Sequence, residues 1–198
     1  MTDLFQEPPD ATQLSPTERE GLLQTWITTR AELNAAEQQN IVGGTNWGRR
    51  RRGKATDLLT DDFSKSLHKQ MFGDVWSWAG TYRLRESNIG IPPHHIPIEL
   101  QTLFDDACYW VKHQTHGRDE LAVRLHHRIV AIHPFPNGNG RHARLMADLL
   151  VERLGGHSFS WGGGTGLGDT GKLRASYIAA LKAADGHDIS PLLKFSRS

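Results

Sequence analysis

His133-Pro134-Phe135-Pro136-Asn137-Gly138-Asn139-Gly140-Arg141-His142-Ala143-Arg144 is the stretch of this 198-residue sequence from which the rest can be read. An amphipathic run with Leu121, Leu125, Ile129 and Ile132 precedes it, and another with Leu145 and Leu149 follows. Apolar residues three and four apart mark helices, and the intervening prolines and glycines break them, so the order is helix, tight loop, helix. Gly138 and Gly140 permit backbone conformations that point successive N–H groups into one concavity, an anion-binding nest. The helix that follows presents its unpaired N–H groups and positive dipole end to the same spot. Arg141 and Arg144 share a face of its first turn and can reach the same polyphosphate with planar, bidentate geometry. Positive side chains at a helix N-terminus are unfavourable unless an anion binds there. His133 stands at the loop's other edge, where a neutral imidazole can take a proton from an incoming hydroxyl. Base, nest and two arginines describe a site for a nucleotide phosphate under nucleophilic attack.

Outward from the loop the helical period continues. Phe63, Leu67 and Met71 are spaced for a helix that opens after Thr60. Further helices are expected over roughly 97–114, 119–132, 140–154 and 171–184, with a last short one capped by Ser190-Pro191. Ser15-Pro16-Thr17-Glu18 has the form of a capping box with proline at the first helical position, opening a short helix with Leu22, Leu23 and Trp26. Thr29-Arg30-Ala31-Glu32 reads as a second box, whose helix carries Leu33, Ala36, Asn40, Ile41 and Gly44 on its inner face. Residues 1–14 are aperiodic and read as an arm. Residues 43–55, rich in Gly and Arg, read as a loop, and so does the glycine-rich stretch 160–171. Gly80 to His95 contains Tyr82-Arg83-Leu84, a polar Glu86-Ser87-Asn88 turn and Ile89-Gly90-Ile91, and reads as a β-hairpin, the only sheet expected. Trp47, Trp76, Trp78, Trp110 and Trp161 read as packing residues. The predicted class is mainly α, a helical bundle with one hairpin, divided into an N-terminal segment 1–54 and a main domain 55–198.

Composition narrows the function. About 37% hydrophobic and 23% charged residues belong to an ordinary compact domain, and the formal charge of +1 does not suit a protein built to hold nucleic acid. The basic run Arg49-Arg50-Arg51-Arg52-Gly53-Lys54 could touch nucleic acid or an acidic partner, but such runs are usually just solvated. A single cysteine, Cys108, lies in an apolar helical stretch and reads as core; with no partner for a disulfide, a reducing cytoplasm is expected. The acidic Met1 to Pro9 lacks the pattern of a signal peptide, and no run of apolar residues is long enough to span a membrane.

The loop resembles the Fic family signature H-x-F-x-[DE]-G-N-G-R-x-x-R at every fixed position but one, where Asn137 replaces the acid. Leu67-His68, Met71-Phe72, Val75-Trp76 and Trp78-Ala79-Gly80 with Arg83 resemble the helix and entry to that family's flap hairpin. Tyr177, Ala180-Leu181, Gly186 and Pro191-Leu192 resemble its C-terminal helices, so the likeness covers roughly residues 55–196. Together with Ala31-Glu32-Leu33-Asn34, the loop variant is most similar to the bacterial subgroup called mobile mystery protein B.

The resemblance implies a Fic fold with a flap at 82–91, and an enzyme that moves AMP from ATP to a hydroxyl side chain of a target protein. It implies His133 as general base and Phe135, among the cofactor-binding loop residues, as the one that anchors the loop in the core. Gly138, Asn139 and Gly140 would bind phosphates, with Arg141 and Arg144 holding the outer ones. The target would dock by strand addition at the flap, and a small regulatory partner protein would fit the family's habits. Asn137 falls where the family's carboxylate ligates Mg²⁺. An amide oxygen can also ligate it, or Mn²⁺, but without charge. Alternatives therefore stay open: an impaired Fic domain acting as a nucleotide- or protein-binding regulator, or an enzyme using another phosphate-containing donor.

Two glutamates could regulate such a site. Many Fic proteins set a glutamate against the second arginine through an [ST]-x-x-x-E-[GN] helix. Thr28 and Glu32 match that spacing, but Leu33 departs from it, and a cap formed with Thr29 is the commoner pattern. Glu37, near the apolar face of the same helix, is a second candidate. A zinc site among His126, His127, His133 and His142 lacks a clean i, i+4 pair with a third ligand; His126 and His127 read as packing.

Overall fold

The computed structural model describes residues 4–5, 12–163 and 171–198. Among them the chain forms α1 (Pro16–Arg19), α2 (Arg30–Arg50), α3 (Asp61–Phe72), α4 (Ile96–His113), α5 (Arg118–Ile132), α6 (Asn139–Arg153), α7 (Lys172–Asp185) and α8 (Ser190–Ser196). Short 3₁₀ turns lie at Ala55–Leu58 and Pro93–His95. The expected caps are in place. Ser15 and Thr29 close reciprocal boxes with Glu18 and Glu32, and the Thr60 side chain accepts from the Phe63 N–H. Each cap satisfies an amide that the first helical turn leaves unpaired.

α5 and α6, joined by residues 133–138, make the centre of the bundle. Leu125, Ile129, Met146 and Leu150 are wholly buried. α4 packs on α5, α2 and α3 lie against each other and reach α6, and the α7–α8 pair closes over α5. Burying each such aliphatic side chain contributes roughly 1.5–3 kcal/mol, so both ends of the loop are anchored in the best-packed part of the molecule. No helix of the described residues is long and apolar enough to cross a membrane.

Four expectations are corrected. Residues 43–50 are not a loop but the end of α2. Gly44 sits where a Cβ would meet the Met71 backbone at 2.9 Å, and a Cβ at Gly48 would meet Leu149 at 2.7 Å. These glycines are therefore points of close helix contact rather than breaks. The stretch with Leu22, Leu23 and Trp26 is not helical. Leu23 N–H donates to Val75 O and Ser77 N–H to Gly21 O, forming an antiparallel bridge between Leu22 and Trp76. Leu23 and Trp26 are exposed, so a helix there would have had no apolar face to bury.

Residues 82–91 form an irregular turn with no strand. The Arg83 N–H donates to Pro134 O and the Ile91 N–H to Ile132 O, so these two amides meet residues 132–134 rather than form a strand ladder, and the arms are joined through the Arg83 side chain on Ile91 O. Finally, the arm is not free throughout, because Thr12 and Leu14 are buried. Residues 164–170 of the glycine-rich stretch lie outside the described residues. Cys108 is half-buried on α4.

Candidate active site

The loop begins where α5 ends. His133 takes the left-handed conformation, φ 56° and ψ 61°, and its N–H closes the helix on Ile129 O. That turn sets the imidazole back against the last turn of α5. Nδ1 lies 3.2 Å from Val130 O. A carbonyl can only accept, so Nδ1 carries the proton and Nε2 presents a lone pair. Burial pushes the His133 pKa down to about 4, with the Val130 bond opposing the shift and the Arg83 charge adding to it. The ring is thus neutral at physiological pH, the form a base requires.

Phe135 and Asn139 lock the turn. The Asn139 side chain accepts from the Phe135 N–H and donates to Phe135 O, both at 2.8 Å. Asn139 is almost wholly buried, so its side chain braces the loop instead of facing a ligand. Phe135 is fully buried, stacked on His68 with ring centroids 3.7 Å apart. His68 donates from Nε2 to Asn137 O and accepts the Gly80 N–H on Nδ1, each at 3.0 Å. Burial holds its pKa well below the ordinary value. The sequence reading missed this role of His68. The only available signal was a histidine beside Leu67 and one helical turn before Phe72.

Gly138 follows at φ +79°, where a Cβ would come within 2.6 Å of the Phe72 ring. Only glycine combines that conformation with that approach. From there α6 starts, and His142 is the first residue whose N–H finds a helical acceptor, Gly138 O. The N–H groups of the preceding turn, including Gly140, have no carbonyl of their own helix to meet. Such unpaired donors at a helix N-terminus are what an anion-binding nest requires.

The arginines diverge. Arg144 is partly buried, with its guanidinium 5.7 Å from the Tyr177 ring centre. Burial lowers its pKa, and nearby Arg141 acts in the same direction. Arg141 lies over Phe72 and donates from Nη1 to Glu37 Oε2 at 2.6 Å. Glu37 is buried, and its other oxygen accepts from Trp76 Nε1 at 2.7 Å. Of the two candidate glutamates, Glu37 therefore reaches the loop, and it meets the first arginine. Glu32 stays at the surface and capping, accepting from the N–H groups of Thr28 and Thr29, which lower its pKa.

Asn137 offers the loop a neutral oxygen. Its Oδ1 accepts from the Gly138 N–H at 2.5 Å and lies 3.5 Å from Arg141 Nη2. Among the described residues no group of three His, Cys, Asp or Glu side chains stands close enough to hold a metal ion. Mg²⁺ favours charged oxygen in octahedral geometry, so these residues do not by themselves fit it.

The remaining histidines separate. His126 is buried at 3.0 Å from the Tyr177 hydroxyl, and burial takes its pKa to about 3. His142 is buried with Nε2 on Ser64 O, and His127 pairs with Asp185 at the surface. The basic run is also engaged in part. Arg49 pairs with Glu152 at 2.8 Å and Arg51 lies over Trp47. Arg50, Arg51 and Arg52 line a cleft of about 490 Å³ together with Asp57 and Asp62. Sharing the cleft with acidic groups weakens it as a nucleic-acid surface.

Residues 58–151 match the model of the Fic/DOC family. Protein adenylyltransferase fic-1 of Caenorhabditis elegans is 27% identical over 150 residues, covering 72% of this chain and 27% of that protein. A uridine 5'-monophosphate transferase of Xanthomonas campestris is 44% identical over 54 residues, 23% of this chain and 10% of that one. The chain thus spans about a quarter or less of the length of these curated relatives. The BepC protein of Bartonella tribocorum, solved with bound AMPPNP, has the same fold: TM-score 0.67, 15% identity, covering 92% of this chain and 97% of that one.

Proposed function

We propose, from the match of residues 58–151 to the Fic/DOC family, that the chain is a Fic-type protein adenylyltransferase, moving AMP from ATP to a hydroxyl side chain of a target protein. One observation carries the reading. The Nδ1–H of His133 is committed to Val130 O, which leaves the Nε2 lone pair to accept from a hydroxyl, on a residue that opens the loop leading to a helix N-terminus with two arginines. In this reading the target hydroxyl gives its proton to Nε2 as its oxygen attacks the α-phosphorus, and pyrophosphate leaves. The α6 N–H groups and the arginines take up the charge on the phosphates. The Mg²⁺ expected from the resemblance gains no carboxylate here, so more of that charge falls to Arg141 and Arg144. Arg141 is free for this only after it parts from Glu37.

The target would lie along 82–91, where Leu84 is 88% exposed beside the loop. With its backbone tied to residues 132–134, that turn can hold an incoming chain at a fixed distance from His133. A second reading, a nucleotide-binding domain of low activity or one with another donor, is favoured by Asn137 and by the uridylyl-transferring relative. One experiment separates them. The protein and its His133→Ala variant are incubated with each nucleoside triphosphate and Mg²⁺ or Mn²⁺, and proteins are searched for the added nucleotide mass. The expected result is AMP transfer by the natural protein, with none by the variant despite retained ATP binding. Nucleotide binding without transfer from any donor would favour the second reading.

A further inference from the structure

Thr12 belongs to a segment read from the sequence as an aperiodic arm, yet its side chain reaches His133. Its Oγ1 lies 2.6 Å from His133 Nε2, across 121 residues of sequence, and both groups are buried. Nδ1 of that ring donates to Val130 O, so Nε2 is the acceptor and the threonine hydroxyl is the donor. This is the arrangement a general base makes with the hydroxyl it activates, at the distance such a step needs. The backbone next to Thr12 is held as a bound peptide would be. The Gln13 N–H donates to Asn88 Oδ1 in the 82–91 turn at 3.3 Å, and Leu14 is buried with its carbonyl accepting from Arg19 Nε at 3.1 Å. A hydroxyl on the base and a main chain on the flap are the two contacts expected of a target.

We propose that Thr12 is a site of self-modification, the chain transferring AMP to its own arm. This rests on the adenylyltransferase reading. In the step, the Thr12 Oγ1–H proton passes to His133 Nε2 and Oγ1 forms an ester bond to the α-phosphorus of ATP. The bond from that phosphorus to the oxygen bridging the β-phosphate breaks, and pyrophosphate departs with the electron pair. Nothing beyond ATP is consumed. The adduct would leave the base without its hydroxyl partner and place a bulky anion on a buried segment, so the arm would have to leave the site after transfer.

The test incubates the full chain with ATP and Mg²⁺ or Mn²⁺ and maps AMP-bearing peptides by mass spectrometry, beside lysate proteins as other acceptors. Glu37→Gln, which frees Arg141, is run in parallel so that a slow natural protein does not hide the reaction. The adduct is expected on Thr12, at a first-order rate unaffected by protein concentration. It should persist in Thr12→Ser and be lost in Thr12→Val, with a thermal melt showing that the valine variant is folded. AMP on lysate proteins or other residues but never on Thr12, or a Thr12 rate that rises with protein concentration, overturns the proposal and leaves the enzymatic reading intact. No AMP on any acceptor from any of these proteins overturns the enzymatic reading itself.

Discussion

Glu37 on α2 and Arg141 on α6 meet at 2.6 Å, 104 residues apart in sequence, with the glutamate buried and the arginine partly open. If Arg141 holds a phosphate as proposed, the carboxylate competes with it for the same guanidinium. Trp76 Nε1 holds the other carboxylate oxygen, so the pair is set by packing as well as by charge. Breaking a buried pair by deleting one partner leaves the other charge uncompensated, whereas a bound anion can replace the partner.

Glu37→Gln keeps an oxygen for Trp76 and removes the charge that competes for Arg141. ATP affinity should rise by about tenfold, which needs only ~1.4 kcal/mol, and any AMP transfer should rise with it. Glu32→Gln should do neither, because glutamine at that position still accepts from the Thr28 and Thr29 N–H groups and keeps the cap. Titration of both variants with ATP checks this; equal affinity in Glu37→Gln and the natural protein would remove Glu37 from regulation.

The Asn139 side chain is a brace, and its loss should be felt as stability before chemistry. Asn139→Ala leaves the buried N–H and C=O of Phe135 unpaired, at roughly 1–3 kcal/mol each. Asn139→Asp keeps the acceptor for the N–H but sets a carboxylate against Phe135 O, so it should rescue little. Urea denaturation of the two variants should show both midpoints lowered. An alanine variant as stable as the parent would mean that the loop holds its shape without this side chain.

The fold was legible where one helix face or one cap decides the structure. Thr29 and Thr60 open α2 and α3 as their side chains predict, and the apolar spacing of Leu121, Leu125 and Ile129 gives α5. The reading failed where distant contacts decide. Gly44 and Gly48 look like breaks in a sequence, but they let α2 approach Met71 and Leu149. The alternation around 82–91 looks like a hairpin, but Arg83 and Ile91 find their partners at residues 132–134. In the site, the loop announced itself because glycine, histidine and arginine are needed at fixed offsets. His68 and Thr12 did not, because their roles depend on what lies opposite them after folding.

The buried histidines predict an acid-sensitive fold. Burial depresses the pKa of His133 and His142 to about 4 and of His126 to about 3, and holds His68 well down. Each of these groups is neutral when folded but charges readily when unfolded. Their stabilising contribution is therefore full above the unfolded value near 6.5 and is lost as pH falls toward the folded values. Asp148 acts oppositely. Burial raises its pKa to about 6, so its contribution is full below the unfolded value and is lost as pH rises through about 6. Four histidines against one aspartate leave a net loss on acidification, at most about 1.4 kcal/mol per pH unit for each uncompensated group. Urea midpoints should fall between neutral pH and about pH 5, and more steeply in Asp148→Asn. A flat profile would contradict the buried, neutral state of these rings.

Asn137 separates a weak enzyme from one tuned for other chemistry. Its amide oxygen is neutral and already accepts from the Gly138 N–H. Asn137→Asp restores a charged oxygen at the same place, which is what Mg²⁺ prefers. The new carboxylate would also face Arg141, whose Nη2 lies 3.5 Å from the present amide oxygen, so the benefit should be clearest in the Glu37→Gln background. If the neutral ligand is what limits transfer, the metal concentration needed should drop. AMP transfer should then rise about tenfold, equivalent to ~1.4 kcal/mol of transition-state stabilisation. Mn²⁺, which takes the same carbonyl and carboxylate oxygens without the strict geometry that Mg²⁺ demands, should partly rescue the natural protein. The measurement is initial rate against metal concentration for both versions, with Mg²⁺ and Mn²⁺. A lower rate in Asn137→Asp at every metal concentration would mean that the asparagine serves a donor or orientation other than ATP attacked at its α-phosphorus.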